Sequence, residues 1–276
     1  DNFRKTFNPS AAQEGAKETA KTTDSSSKQA AKTVVATPSA GAGQFSLFDT
    51  QGAPQTPAYT SRKNISETPH FYQSLVPGLG LKLFIKSLLT QEKVSFALAT
   101  DQPDAMTCNL LGISFSFKEA TGYYIALPED EEGFKATLAE IAPFFTNDSI
   151  QKIGQNLKFS IKVLARYGIA IRGALFDTML AHYLINPDMR HDQSVLAETY
   201  LNYTPMDLSQ LIGKPGKNQK SWRSCSLEEQ TQFSSEQADL TYQLSDHFLK
   251  ELQQADNQTL FADIELPLLR VLAAME

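Results

Sequence analysis

Three apolar segments of strand character stand close together between residues 93 and 127, and they constrain the fold more than any other feature. Val94 to Ala99 is a short apolar run. Asn109 to Phe117 carries Leu111, Ile113, Phe115 and Phe117 at alternate positions, and Tyr123 to Leu127 is a third run. Period-two alternation commits one set of side chains to one face of a sheet. Ahead of them, "HFYQSL" is a short strand candidate, and "LKLFIKSLL" has helical spacing at Leu81, Ile85, Leu88 and Leu89. Behind them, the acidic "PEDEEG" opens a helix to about Phe145, its carboxylates suiting a helix N-terminus. "QKIGQN" is a further short strand, followed by a helix with Leu157, Ile161, Leu164 and Ala165 on one face. Asp177 is placed to cap "TMLAHYLIN", which Pro187 ends. The remainder is mainly helical, with Leu240, Leu244, Phe248 and Leu252 forming an i, i+4 stripe. Strands first and helices later, with helices between the middle strands, predict an α/β fold: a mixed sheet covered by helices.

A chain of 276 residues, 41% of them hydrophobic, holds enough apolar surface for one main domain with appendages. Residues 1 to about 62 are different in texture: Ala, Ser, Thr, Gly, Gln and Lys dominate, and such a segment cannot bury enough surface to offset the entropy of ordering. A disordered linker is expected there, cut from something longer and interrupted by one apolar island, "GQFSLFDT". Cys108 and Cys225 suit neither a disulfide framework nor a CxxC metal site and are read as ordinary thiols in a reducing cytosol. With no apolar run of about 18 residues and no signal-peptide core, the expectation is a soluble, cytoplasmic protein without a membrane partner.

A formal charge of −6 argues against a broad electrostatic hold on nucleic acid, so contacts with DNA must be local or belong to a partner domain. The one basic strip, "GKPGKNQKSWR", carries Lys214, Lys217, Lys220, Arg223 and the lone Trp222. It either tracks a phosphate backbone with Trp222 stacked on a base, or is a solvated loop. His70, His182, His191 and His247 show no spacing typical of metal ligands. The absence of a sustained heptad pattern favours a monomer.

"KIGQNLKF", "ALFDTML", "RHDQSVLAE" and "GKNQ", in this order and spacing, resemble the 3′–5′ exonuclease domain of bacterial DNA polymerase I, a family A polymerase. The resemblance implies a ribonuclease-H-like fold over 63–257, a linker over 1–62 that follows a 5′ nuclease domain, and the start of a polymerase domain over 258–276. It also implies DNA as the partner, met through the parent polymerase. Active members hold two divalent metals, Mg²⁺, on four carboxylates from three motifs. Here the Asp-x-Glu strand motif is "FALATD", with Ala99 and Asp101 at the acid positions. The aromatic-Asp pair after "GQNLK" becomes Phe159 and Ser160, and the helical Tyr-x-x-x-Asp becomes Phe233 and Gln237. One carboxylate of four is left, so no intact catalytic set, no metal ligand set and no cofactor are expected.

Two other readings stay open: an active exonuclease that recruits Asp104, Glu236 or Asp239, and a metal-free single-strand DNA module. On a helix Asp239 lies about 200° round from Gln237 and Glu236 about 100° the other way, which argues against both as replacements. Gln155, Asn156, Lys158 and Arg190 match positions that line the family's single-strand groove, and the alternative for Gln155 and Asn156 is a role in satisfying strand ends and turns. In the linker, Gln44, Leu47 and Phe48 of "QFSLF" look like the short peptide with which bacterial replication proteins bind the sliding clamp: the Gln anchors by hydrogen bonds and Leu-Phe fills an apolar pocket.

Overall fold

The computed structural model describes residues 62–276 except Pro215 and Lys217. A six-stranded sheet of order β1-β4-β3-β2-β5-β6 forms its centre. The strands are β1 (Phe71–Ser74), β2 (Lys93–Thr100), β3 (Leu110–Lys118), β4 (Thr121–Ala126), β5 (Gln151–Gly154) and β6 (Leu175–Asp177). β2, β3 and β4 pair antiparallel, whereas β1, β5 and β6 join in parallel, so the sheet is mixed as the element pattern predicts. β6 spans three residues, too short for any periodicity to announce it.

Alternation along β2 and β3 gives the two faces different jobs. Val94, Phe96, Ile113 and Phe115 point into the main core, where α1 (Leu79–Leu88), α2 (Glu131–Thr146) and α3 (Leu157–Arg166) cover them with Leu81, Leu88, Ile141, Phe144 and Leu164. The other face carries small side chains: Ser95, Ala97 and Ala99 on β2, Gly112, Ser114 and Ser116 on β3. Small residues leave room for a helix backbone to approach, and α7 (Leu227–Gln254), 28 residues long, crosses this face from β1 to β5. Ser95 Oγ donates to the Ala238 carbonyl at 2.6 Å, and a Cβ placed on Gly122 would lie 2.5 Å from Ser235 Cβ. α7 starts with a capping box between Ser226 and Glu229 and buries the expected Leu240, Leu244, Phe248 and Leu252 stripe.

The remaining helices are α4 (Thr178–Ile185), α5 (Gln193–Tyr200), α6 (Leu208–Ile212), α8 (Gln258–Leu260) and α9 (Leu266–Met275), with a π-turn at Phe261–Glu265 between the last two. α9 packs on α3, and its Arg270 donates to the carbonyls of Ile171 and Gly173 at 2.6 and 2.7 Å. The buried face of α3 differs from the expected one: Leu157, Ser160, Val163 and Leu164 are covered and Ala165 is exposed. Ala165 lies about 80° past Leu157 around the axis, beyond the arc that meets the sheet.

Asp177 does more than cap α4. Its buried carboxylate accepts from Met179 and Leu180 N–H at 2.9 and 3.2 Å and from Asn156 and Leu157 N–H at 3.2 and 2.6 Å, so one side chain closes the starts of α3 and α4. Asn156, at φ 57°, turns the chain to present those N–H groups. Asp177→Ala leaves both helix starts unsatisfied in the core, and the expected loss is about 2–4 kcal/mol in urea denaturation, from two caps of about 1–2 kcal/mol each.

Candidate active site

β2 presents Ala97 and Ala99 toward α7, Asp101 follows just past the strand's end beyond a register shift at Ala99/Thr100, and α7 offers Phe233 and Gln237 one turn apart. The two elements meet at a pocket of about 410 Å³ whose wall includes Ala99, Asp101, Trp222, Phe233 and Gln237. Four of the five motif positions read from the sequence, Ala99, Asp101, Phe233 and Gln237, are therefore brought together. Ser160 is buried on α3 and is not among the pocket residues.

The floor of this pocket is apolar. Ala99 and Phe233 pack with Leu111, Ile212 and Trp222. The Trp222 and Phe233 rings meet edge to face at 5.6 Å, and Trp222 Nε1 donates to Tyr124 Oη at 3.3 Å. Burial removes Trp222 from any role as an exposed stacking platform, which corrects that reading of the basic strip. Lys214 and Lys220 are exposed, Arg223 pairs with Glu129 at 3.3 Å, and Lys217 lies outside the described residues.

Each acid near this pocket is held by other partners. Asp101 accepts from the backbone N–H and side-chain Nδ2 of Asn109 at 2.6 and 2.7 Å. Asp104 is exposed and accepts from Met106 N–H and Thr107 Oγ1, bonds that hold its carboxyl below the usual range. Glu236 is fully buried and accepts from Tyr203 Oη at 2.6 Å and Met206 N–H at 2.8 Å. Asp239 accepts from Tyr72 Oη at 2.8 Å and Ala120 N–H at 2.9 Å. Both α7 acids point away from Gln237, as the helical angles predict. Among the described residues no three His, Cys, Asp or Glu side chains are grouped as metal ligands.

The groove positions are spread over neighbouring elements. Gln155 Nε2 donates to the His191 carbonyl at 2.7 Å while its Oε1 accepts from Thr178, and Asn156 begins α3. Lys158 pairs with Glu276 at 2.9 Å and the exposed Arg190 with Asp192 at 2.7 Å. His182 and His191 face each other with their Nδ1 atoms 2.6 Å apart, and His182 Nε2 lies 3.0 Å from Tyr200 Oη. Gln44, Leu47 and Phe48 lie outside the described residues. Sequence reasoning missed Trp222 as a pocket wall and Asn109 as the partner of Asp101. The only sequence signal for the second was an Asn eight residues after the acid, just ahead of β3.

Residues 79–253 match the family model described as 3′-5′ exonuclease. DNA polymerase I of Borreliella burgdorferi is 34% identical over 238 residues, which is 85% of this chain and 25% of that protein. The chain thus spans about a quarter of the length of the curated relatives it matches. Among solved structures, the POL domain of Pol1 from M. smegmatis in complex with DNA primer-template and dNTP aligns with TM-score 0.56 at 23% identity, over 74% of this chain and 31% of that one. Brucella melitensis NrnC with bound Mg²⁺ aligns with TM-score 0.55 at 13% identity, over 75% and 93%. These likenesses show the ribonuclease-H-like fold that the sequence motifs implied. No helix among the described residues is long and apolar enough to cross a membrane.

Burial pushes the Asp239 carboxyl up to about 6. A carboxyl raised in the folded state binds its proton more tightly there than when unfolded. Its contribution is therefore full below the unfolded value of about 3.9 and is lost as pH rises through about 6. Unfolding free energy measured between pH 4 and pH 7 falls by up to about 3 kcal/mol from this group, and Asp239→Asn flattens that slope.

Proposed function

This chain belongs to the 3′-5′ exonuclease family of the DNA polymerase I type, and from that membership we propose that it is a proofreading fold without proofreading chemistry, a structural domain of a DNA polymerase that works in DNA replication and repair. The observation that carries this reading is that Ala99, at one of the family's acid positions, packs in one apolar cluster with Trp222 and Phe233 at the junction of β2 and α7.

The residues present do not fit a two-metal centre. Ala99, Ser160 and Gln237 carry no charge, and both oxygens of Asp101 are held by Asn109. Two Mg²⁺ ions about 4 Å apart repel by roughly 4 kcal/mol at water's dielectric and by about 17 kcal/mol at an effective value of about 20. One carboxylate does not offset that repulsion. Phe233 has no hydroxyl to orient a water. Displaced acids do not favour an active enzyme either, because Asp104, Glu236 and Asp239 are all bonded elsewhere.

In this reading DNA is met through the parent polymerase, and the domain is a monomeric, cytoplasmic scaffold that needs no Mg²⁺. The groove positions support it: Gln155, Lys158 and Arg190 have intramolecular partners. Residues 1–62 act as a linker whose Gln44, Leu47 and Phe48 tether the protein to the sliding clamp.

Release of the terminal nucleotide from a 3′-labelled single strand, with Mg²⁺ and then Mn²⁺, tests the central point. The chain should stay at the level of a protein-free control. The variant with Ala99→Asp, Asp101→Glu, Ser160→Asp and Gln237→Asp should gain metal-dependent release. Metal-dependent cutting by the unaltered, contaminant-free chain would overturn the reading. For the linker, a peptide spanning residues 38 to 54 should bind the cognate clamp; no binding where a known clamp peptide saturates removes the tether.

A further inference from the structure

Asp101, the one acid left at the ligand positions, has a definite structural partner. It closes the turn between β2 and β3: its backbone N–H donates to the Asn109 carbonyl at 3.3 Å, its Oδ1 takes the Asn109 N–H at 2.6 Å, and its Oδ2 takes the Asn109 side-chain amide at 2.7 Å. Inside the turn, the Asp104 carboxylate takes Met106 N–H and Thr107 Oγ1, while its carbonyl takes the N–H of Cys108 at 2.9 Å. Two side chains at the end of α3 then pin the turn to the core. Arg166 Nη1 donates to the carbonyls of Ala105 and Cys108 at 3.0 and 2.6 Å, and Leu110 N–H donates to Tyr167 Oη at 3.2 Å.

We propose that Asn109 is a positioning residue that has converted Asp101 from a metal ligand into the clasp of the β2–β3 turn. The hydrogen bonds to Asn109 and Arg166 thereby give the end of β2 an order that does not depend on a metal. The inference rests on the reading that the metal centre is lost, and it adds why the surviving acid cannot serve alone. A carboxylate oxygen has two lone pairs, so one accepted bond does not by itself bar a cation; what two bonds from one residue fix is the orientation of the carboxylate plane. Here both oxygens are engaged by one residue, through charge-assisted bonds at the short end of the normal range. Asn109 presents its two N–H groups in a fork that orients the carboxylate toward the turn, so a cation that needs another orientation competes with both bonds.

Two measurements on the full chain test this. In the first, amide hydrogen exchange is compared between the unaltered chain and Asn109→Ala. Exchange at residues 101–110 should rise about tenfold or more, with α7 unchanged as the control for folding. In the second, Mn²⁺ binding is measured in the background Ala99→Asp, Ser160→Asp, Gln237→Asp, which keeps Asp101. Adding Asn109→Ala removes the side-chain amide from Oδ2, leaves the residue-109 backbone N–H on Oδ1, and should tighten Mn²⁺ about tenfold by releasing that one oxygen. Unchanged turn exchange, or equal Mn²⁺ affinity with Asn109 and with Ala at that position, would overturn the clasp. Nuclease activity in the unaltered chain would instead sink the proposed function and leave the exchange result standing.

Discussion

The seating of α7 on the sheet is the constraint from which the rest follows. A helix approaches a sheet this closely only where the facing side chains are small, and β2, β3 and β4 supply Ser95, Ala97, Gly112, Ser114 and Gly122 on that face. The Ser95 bond to the Ala238 carbonyl and the contact of Ser235 with Gly122 fix the helix along its length. Once α7 is seated, Phe233 and Gln237 must face the end of β2, and Glu236 and Asp239 must face elsewhere. The convergence of β2 and α7 on one pocket is thus set by the small residues that seat the helix.

In the proposed reading, a helix seated by small residues explains how the acids are replaced without loss of the fold. Four clustered carboxylates repel one another in the absence of cations, so their removal relieves strain in the metal-free chain. Ala99 and Phe233 pack against a buried cluster of Leu111, Ile212 and Trp222, and burial of that apolar surface stabilises the junction of β2 and α7. The costs sit elsewhere: Ser234 and Ser235 hydroxyls are buried on α7 without hydrogen-bond partners among the described residues, and Asp239 keeps a carboxyl in the core. Each of these is a consequence of holding a polar helix against a sheet at short range.

Much of this was legible in the sequence, for physical reasons that differ by element. The β3 alternation and the Leu240, Leu244, Phe248 and Leu252 stripe were readable because a single period governs each. The positions Ala99, Asp101, Phe233 and Gln237 were readable as a set because their motifs keep order and spacing, and the structure brings those four together. β6 escaped because three residues carry no pattern. The burial of Trp222 escaped because it sits in a strip of lysines that reads as solvent-facing, while the Tyr124 hydroxyl that receives its N–H is remote in sequence. The Asp101 clasp escaped because nothing in composition ties an acid to an Asn across a turn. Local periodicity finds elements; contacts between distant or irregular segments need the tertiary arrangement.

The most direct test of the central claim is the stoichiometry of Mn²⁺ bound by the unaltered chain, measured by calorimetric titration after removal of adventitious metal. A site whose acids are replaced or clasped predicts no saturable binding tighter than about 1 mM. Two Mn²⁺ ions bound per chain with micromolar affinity would contradict the account, because no arrangement of Asp101 with its Asn109 bonds intact supplies the ligands for them.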